Sequence, residues 1–127
     1  MSCLAWNRSG VDPSLPCRET SLEDLFQQAD AVSLHIPYAD ETHEMIDAPL
    51  LNAMKPEAIL VNTARGGVVD EAALISALTD GPLRHAALDV FTEEPLSVAS
   101  PLARLENVTL SAHAAWKTPD AADRLMR

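Results

Sequence analysis

The segment Ala58-Ile59-Leu60-Val61-Asn62-Thr63-Ala64-Arg65-Gly66-Gly67-Val68-Val69-Asp70-Glu71 reads as a strand, a tight loop and the start of a helix. Ala58–Asn62 is a near-continuous apolar run, the kind that a parallel sheet covers on both faces. Gly66 and Gly67 let the backbone turn sharply and approach a ligand closely. Asp70 then offers a carboxylate to the orphan N–H groups of a helix running from Glu71 to about Thr79, which Gly81-Pro82 ends. Ala73, Leu74, Ala77 and Leu78 share one face of that helix.

The same unit recurs outward from this segment. Ser2–Trp6, Ala31–His35, His85–Val90 and Val108–Ser111 are further candidate strands. Ser21 caps a helix whose Leu22, Leu25 and Phe26 fall on one face, with Glu23 and Asp24 at its positive start. Asp47-Ala48-Pro49 opens another, striped by Leu50, Leu51 and Met54 and stopped by Pro56. Thr118-Pro119-Asp120 opens a last one. Val11–Thr20 and Glu93–Pro101, each with two prolines, read as loops. Strands alternating with helices at this spacing predict an α/β fold with right-handed crossovers.

Composition narrows the function. The chain has 127 residues, 47% of them hydrophobic and 22% charged, which fits one domain or a piece of a larger one. Nine Lys+Arg against nineteen Asp+Glu gives a net charge of −10. Such a surface repels phosphate polymers and anionic lipid, so neither nucleic acid nor membrane is an expected partner, although a pocket for a small anion is allowed. No apolar run approaches the roughly 20 residues of a spanning helix. The start of the chain lacks the basic and apolar regions of a signal peptide. Cys3 and Cys17 are too few for a disulfide scaffold, which points to a reducing, cytoplasmic setting. The spacing of His35, His43 and His85 with Cys or acidic residues does not match a metal site.

In open α/β sheets ligands bind beyond the C-terminal ends of the strands. Asn7, Arg8 and Ser9 follow the first candidate strand, and His35 and Pro37 the next. Thr63, Ala64 and Arg65 follow Ala58–Asn62, Asp89 and, across a short loop, Glu94 follow His85–Leu88, and His113 follows Val108–Ser111. One rim therefore carries an arginine, two acids and a histidine. Arginine grips a carboxylate through two parallel hydrogen bonds. His113 can give and take a proton near neutral pH, and a carboxylate such as Glu94 would hold its ring.

These residues resemble the cofactor domain of the D-2-hydroxyacid dehydrogenases. The resemblance runs through Leu34-His35-Ile36-Pro37, Glu41-Thr42-His43, Met54-Lys55-Pro56, Val61 to Glu71, Ala87-Leu88-Asp89-Val90-Phe91, Glu94-Pro95, Asn107-Val108-Thr109-Leu110 and His113. It implies that Arg65 binds the carboxylate and carbonyl of a small 2-oxo acid, that His113 protonates the carbonyl oxygen, and that Glu94 is the partner of His113. It implies NAD or NADP as cofactor. Asp89 would lie near the nicotinamide carboxamide, Thr63 and Ala64 beside the cofactor with Arg65, His113 and Ala115, and His35, Ile36 and Pro37 near the adenosine half.

Three departures qualify the resemblance. Asn7 stands where members that prefer NAD place an acid, and Arg8 and Ser9 follow it, a set better suited to the 2′-phosphate of NADP. Ala112 replaces the usual proline before the histidine, and Trp116 resembles the glycerate dehydrogenase and glyoxylate/hydroxypyruvate reductase members. No G-x-G-x-x-G occurs, the glycines being Gly10, Gly66, Gly67 and Gly81. The expected fold is thus a Rossmann-like doubly wound parallel sheet, incomplete, lacking its first strand and the glycine-loop helix. Residues 1–127 would be a partial dinucleotide-binding domain without a substrate domain. By the usual strand order, Ser2–Trp6 and Ala58–Asn62 would lose their shared neighbour and would pair, leave a gap or borrow a strand. A homodimer in the intact enzyme, or a complementing chain carrying the glycine-rich loop, is implied. The alternative is a non-catalytic remnant or interaction module. Formate dehydrogenase, a related Rossmann enzyme, usually has Gln where Glu94 stands.

Overall fold

A computed structural model describes residues 1–125. Its main sheet contains β3 (Ala31–Leu34), β4 (Ala58–Asn62), β5 (Leu83–Leu88) and β6 (Val108–Leu110), all parallel and in that spatial order; β1 (Leu4–Ala5) and β2 (Arg18–Glu19) form a separate parallel pair. The helices are α1 (Leu22–Gln28), α2 (Ala48–Asn52), α3 (Glu71–Thr79) and α4 (Pro119–Leu125), with 3-10 turns at Asp40–Thr42, Gly66–Val68 and Pro101–Arg104. This is the α/β, Rossmann-like architecture expected from the strand–helix alternation.

The helix starts are chemically local. Ser21 Oγ accepts from Asp24 N at 3.0 Å, Asp47 Oδ1 from Leu50 N at 3.1 Å and Asp70 Oδ1 from Ala73 N at 3.0 Å. Each such cap contributes about 1 kcal/mol. Phe26 of α1, Leu50 and Leu51 of α2, and Leu74, Ala77 and Leu78 of α3 pack against Val32, Leu34, Leu60, Ala86 and Leu88, forming one buried cluster.

That cluster lies on one side of the sheet, which corrects the expectation of cover on both faces. Ala31, Ser33 and Thr109, at alternate positions, are exposed, and Ile59, Val61, His85 and Ala87 are only half-buried. The strands are thus less uniformly apolar than their short runs imply. Ser33, His85 and Thr109 put polar groups on the second face.

The position of the gap is a second correction. Ala58–Asn62 is paired on both sides, with β3 and β5, so it is not an edge. The edge strand is β3, and β1 stands apart from it. The cause is β2, which lies inside the expected Val11–Thr20 loop: Arg18 N donates to Cys3 O at 2.9 Å and Thr20 N to Ala5 O at 3.1 Å. Counting β2 as a strand moves every later strand one place, so the gap falls between β1 and β3.

A groove of about 680 Å³ marks this gap, with Leu4, Trp6, Phe26, Val32 and Leu34 in its walls. Parallel ladders use alternate residues on each side. The carbonyls of Cys3 and Ala5 bond to β2, and that of Asp30 accepts from Ile59 N at 3.1 Å. The backbone groups of Leu4, Ala31 and Ser33 therefore turn toward the groove.

Candidate active site

The rim at the C-terminal ends of β4 and β5 is organised by Asn62, only 2% exposed. Its Oδ1 accepts from Ala64 N at 3.0 Å and its Nδ2 donates to Arg65 O at 3.0 Å, while its backbone carbonyl accepts from Asp89 N at 3.0 Å. One amide side chain thus fixes the Thr63–Arg65 turn, and the backbone of the same residue ties it to Asp89 at the end of β5. Gly66 completes the junction. A Cβ there would lie 2.0 Å from the backbone carbon of Phe91, so glycine is required for loop-to-loop packing. The close approach expected of the glycine pair is therefore to the chain itself. Gly67 lies beneath the Tyr38 ring.

Beyond that junction, Phe91 N donates to Glu94 Oε1 at 3.0 Å, and Glu94 Oε2 lies 2.7 Å from His113 Nδ1. The hydrogen bond from His113, aided by the Phe91 N–H, holds the Glu94 carboxyl below the usual range, outweighing burial and the negative charge of Asp89. With Nδ1 engaged, Nε2 is the ring nitrogen left for a reacting group. A cavity of about 610 Å³ lies beside the pair, walled by Phe91, Leu96 and Leu110.

His113 itself has φ 48°, in the left-handed region. That conformation costs a non-glycine residue about 1–2 kcal/mol. The turn around it is clamped. Asp89 Oδ1 accepts from Ser111 Oγ at 2.5 Å and Ala114 N at 2.9 Å, and Oδ2 accepts from Ala115 N at 2.8 Å. Trp116 Nε1 donates to His113 O at 3.0 Å. Burial pushes the Asp89 carboxyl up, but these bonds and the His113 charge prevail and hold it below its ordinary value. A smaller cavity of about 300 Å³ is lined by Val61, Thr63, Ala87, Asp89, Ala114 and Ala115.

Arg65 is exposed, and its Nη1 donates to Ala64 O at 2.6 Å. It lines a cavity of about 590 Å³ with His35, Ile36, Pro37, Tyr38 and Ala64. His35, Ile36 and Pro37 also border the β1–β3 groove, whose opposite lip carries Asn7, Arg8 and Ser9. Asn7 Oδ1 accepts from Ser9 N at 3.3 Å, and Arg8 Nη1 lies 3.5 Å from Glu41 Oε1 with both side chains exposed.

The predicted residues therefore line two groups of cavities, one around Asp89, Glu94 and His113 and one around Arg65, His35 to Pro37 and Asn7 to Ser9. Glu94 and His113 are in direct contact. Arg65 lines the separate cavity of His35, Ile36, Pro37 and Tyr38 and makes no bond with Glu94 or His113. Sequence reasoning missed Asn62, Ser111, Tyr38 and Glu41 as parts of this rim. Asn62 carried one signal, a polar amide ending an apolar strand. Among the described residues no group of three or more His, Cys, Asp or Glu side chains is gathered as metal ligands, and no helix is long and apolar enough to cross a membrane.

Residues 1–115 match the family profile of the D-isomer specific 2-hydroxyacid dehydrogenase, NAD binding domain. The chain is 45% identical over 115 residues to a glyoxylate reductase of Aeropyrum pernix, covering 91% of this chain and 34% of that protein. The D-mandelate dehydrogenase of Rhodotorula graminis in its holo form superposes with a TM-score of 0.91 at 36% identity, over 100% of this chain and 38% of that one. An acyclic imino acid reductase in complex with NADPH and D-Arg also superposes with a TM-score of 0.91, at 33% identity, over 99% of this chain and 40% of that one. The chain thus spans between a third and two-fifths of the length of these relatives.

Proposed function

We propose that this chain, which belongs to the D-isomer specific 2-hydroxyacid dehydrogenase family through its NAD-binding domain, serves the interconversion of a small 2-oxo acid and its D-2-hydroxy acid with NADPH. The observation that carries the reading is the Glu94–His113 contact of 2.7 Å; the two residues that follow His113 line a second cavity whose walls include several small side chains. Val61, Ala87, Ala114 and Ala115 leave room there for a flat ring, so the residues fit a nicotinamide. When bound, the reduced nicotinamide supplies a hydride for the carbonyl carbon.

The chain's own groups do the rest. His113 delivers the proton to the carbonyl oxygen from Nε2, and Glu94 fixes the ring and stabilises its charged form. Arg65 holds the substrate carboxylate and polarises the carbonyl. Thr63 and Ala64 offer backbone contacts to the cofactor. Asn7, Arg8 and Ser9 receive the adenosine end with His35, Ile36 and Pro37, and Arg8 meets the 2′-phosphate. Glyoxylate and hydroxypyruvate are the proposed substrates. They are small enough to be held by one arginine, and a glyoxylate reductase is among the relatives.

The β1–β3 groove supports a partner that supplies the strand and glycine-rich loop. A parallel strand entering it would meet the backbone groups of Leu4 on one side and those of Ala31 and Ser33 on the other. A homodimer of the assembled enzyme and a cytoplasmic location, in keeping with the free Cys3 and Cys17, complete the proposal. The same open groove favours the second reading, an interaction module without turnover.

The test is NADPH oxidation with glyoxylate or hydroxypyruvate, using the chain alone and together with a segment carrying the G-x-G-x-x-G strand and helix. Turnover in the reconstituted form, abolished in its greater part by Arg65→Ala, is expected. A reconstituted form that binds no NAD(P)H would establish the second reading instead.

A further inference from the structure

We propose that Asp89 is a positioning residue for His113, its buried carboxylate folding the turn that aims the imidazole at Glu94. The inference rests on the reading of His113 as the acid–base group. Asp89 follows β5 and is 3% exposed. The resemblance directs this acid outward, to a cofactor amide. Its oxygens are instead occupied inward: Ser111 Oγ and Ala114 N on Oδ1, Ala115 N on Oδ2. An ionised carboxylate offers about four lone-pair sites, so most of its capacity is already used.

The geometry explains why an acid is needed. His113 adopts φ 48°, and the two N–H groups that follow it converge on one anion, as successive amides do in an anion-binding nest. Without that anion, two adjacent N–H donors would converge on no protein acceptor, and the turn would lose one of the two holds that oppose relaxation of the left-handed residue. Trp116 grips the other side of the turn through His113 O, so the turn is held at both ends. The role is one of shape. The negative charge of Asp89 acts against ionisation of Glu94, so electrostatics alone would make Asp89 a disadvantage to the pair. Asparagine at position 89 keeps one acceptor oxygen but sets an NH₂ group against an N–H or O–H donor.

The discriminating experiment is Asp89→Asn in the 127-residue chain, read by carbon NMR titration of the Glu94 carboxyl and by exchange of the Ala114 and Ala115 amides. Removal of the charge alone would lower the pH at which Glu94 titrates. Loss of the His113 contact raises it toward the ordinary glutamate range, and that rise is the expected result, with exchange about tenfold faster at both amides. Titration that stays or falls, with the His113–Glu94 contact retained, overturns the proposal. If Asp89→Asn does not fold, Ser111→Ala decides. It keeps the charge and removes one donor, so Glu94 must titrate at a higher pH than in the wild type; an unchanged value overturns the proposal. Where the reconstituted enzyme turns over, kcat should fall about a hundredfold, by far more than any rise in the KM for NADPH. A raised KM for NADPH with unaltered Glu94 titration would make Asp89 a cofactor contact. Absence of turnover in the wild type would defeat the dehydrogenase reading while leaving the titration result to stand.

Discussion

The two halves of the rim are held in different ways. Around β4, β5 and β6, two buried polar side chains reach back to the main chain: Asn62 binds the Arg65 turn and Asp89 the turn of His113. Around β1 and β3, the corresponding loops are joined by an exposed Arg8–Glu41 pair at 3.5 Å, across a groove with unpaired strand edges on either side. Burial makes the first set of bonds strong and hard to replace by water, whereas the second competes with solvent and salt. The half assigned to proton transfer is thus preorganised by this chain, and the half assigned to the adenosine end is left to be completed.

The largest test of that contrast is chemical. In the reconstituted enzyme His113→Ala should cost about 10²–10⁴-fold in kcat, the range for loss of a positioned general acid. Stopped-flow measurement of NADPH oxidation would read it. Equal activity in the variant would remove the acid–base role and, with it, the reason for so constrained a turn. Amide exchange breaks the comparison from the other direction. Ala86 N donates to Asn107 O at 3.1 Å inside the main sheet and should exchange about a hundredfold more slowly than the amides of Leu4, Ala31 and Ser33. Uniform protection would mean that the groove is closed in solution.

What was legible in the sequence follows the range of the forces involved. The caps at Ser21, Asp47 and Asp70 act within three residues, so a side-chain oxygen before an apolar stripe was enough to locate α1, α2 and α3. The strand β2 carries no such signal. It is two exposed residues long, and only its register with Leu4 and Ala5 makes it a strand. Missing it misplaced the gap. Within the site, Glu94 and His113 are 19 residues apart, and their pairing was readable because a long motif resembles a known family. Arg8 and Glu41 are 33 residues apart; Glu41 lies in a stretch that resembles the family, but Arg8 is one of the departures from it, and nothing local to either predicts the contact. Asn62 gives only the signal of a polar amide ending an apolar strand; that this amide bonds Ala64 and Arg65 of the following turn is seen only in the structure.

Acid should reveal the preorganised half through stability. The folded-state pKa of Glu94 is depressed, so its contribution is fully present above the unfolded-state value and is lost as pH falls through the folded one. Asp89 has the same sign. Glu94→Gln should therefore melt slightly below the wild type at neutral pH, the difference being small because both partners are more than a third exposed and solvent screens the pair. The two should converge as pH falls below the ordinary carboxylate range. Thermal melts between neutral and acid pH would show this, and a constant difference across the range would place the effect of Glu94 in packing.

The smallest effect is expected where the rim is loosest. Arg8 must leave Glu41 to meet a 2′-phosphate, and both groups are solvated, so each change is worth little. Arg8→Ala should weaken NADPH by about two- to fivefold and leave NADH unchanged. Glu41→Gln removes the competitor and should tighten NADPH by a similar or smaller factor. Both effects should shrink as salt is raised, because the Debye length falls to about 3 Å at 1 M. Equal losses for both cofactors in Arg8→Ala would mean that Arg8 supports the loop rather than reading the phosphate. An unchanged response in Glu41→Gln would mean that the 3.5 Å pair holds nothing back. Either outcome would erase the distinction between an adenosine end tuned by exposed charge and a catalytic end fixed by buried bonds.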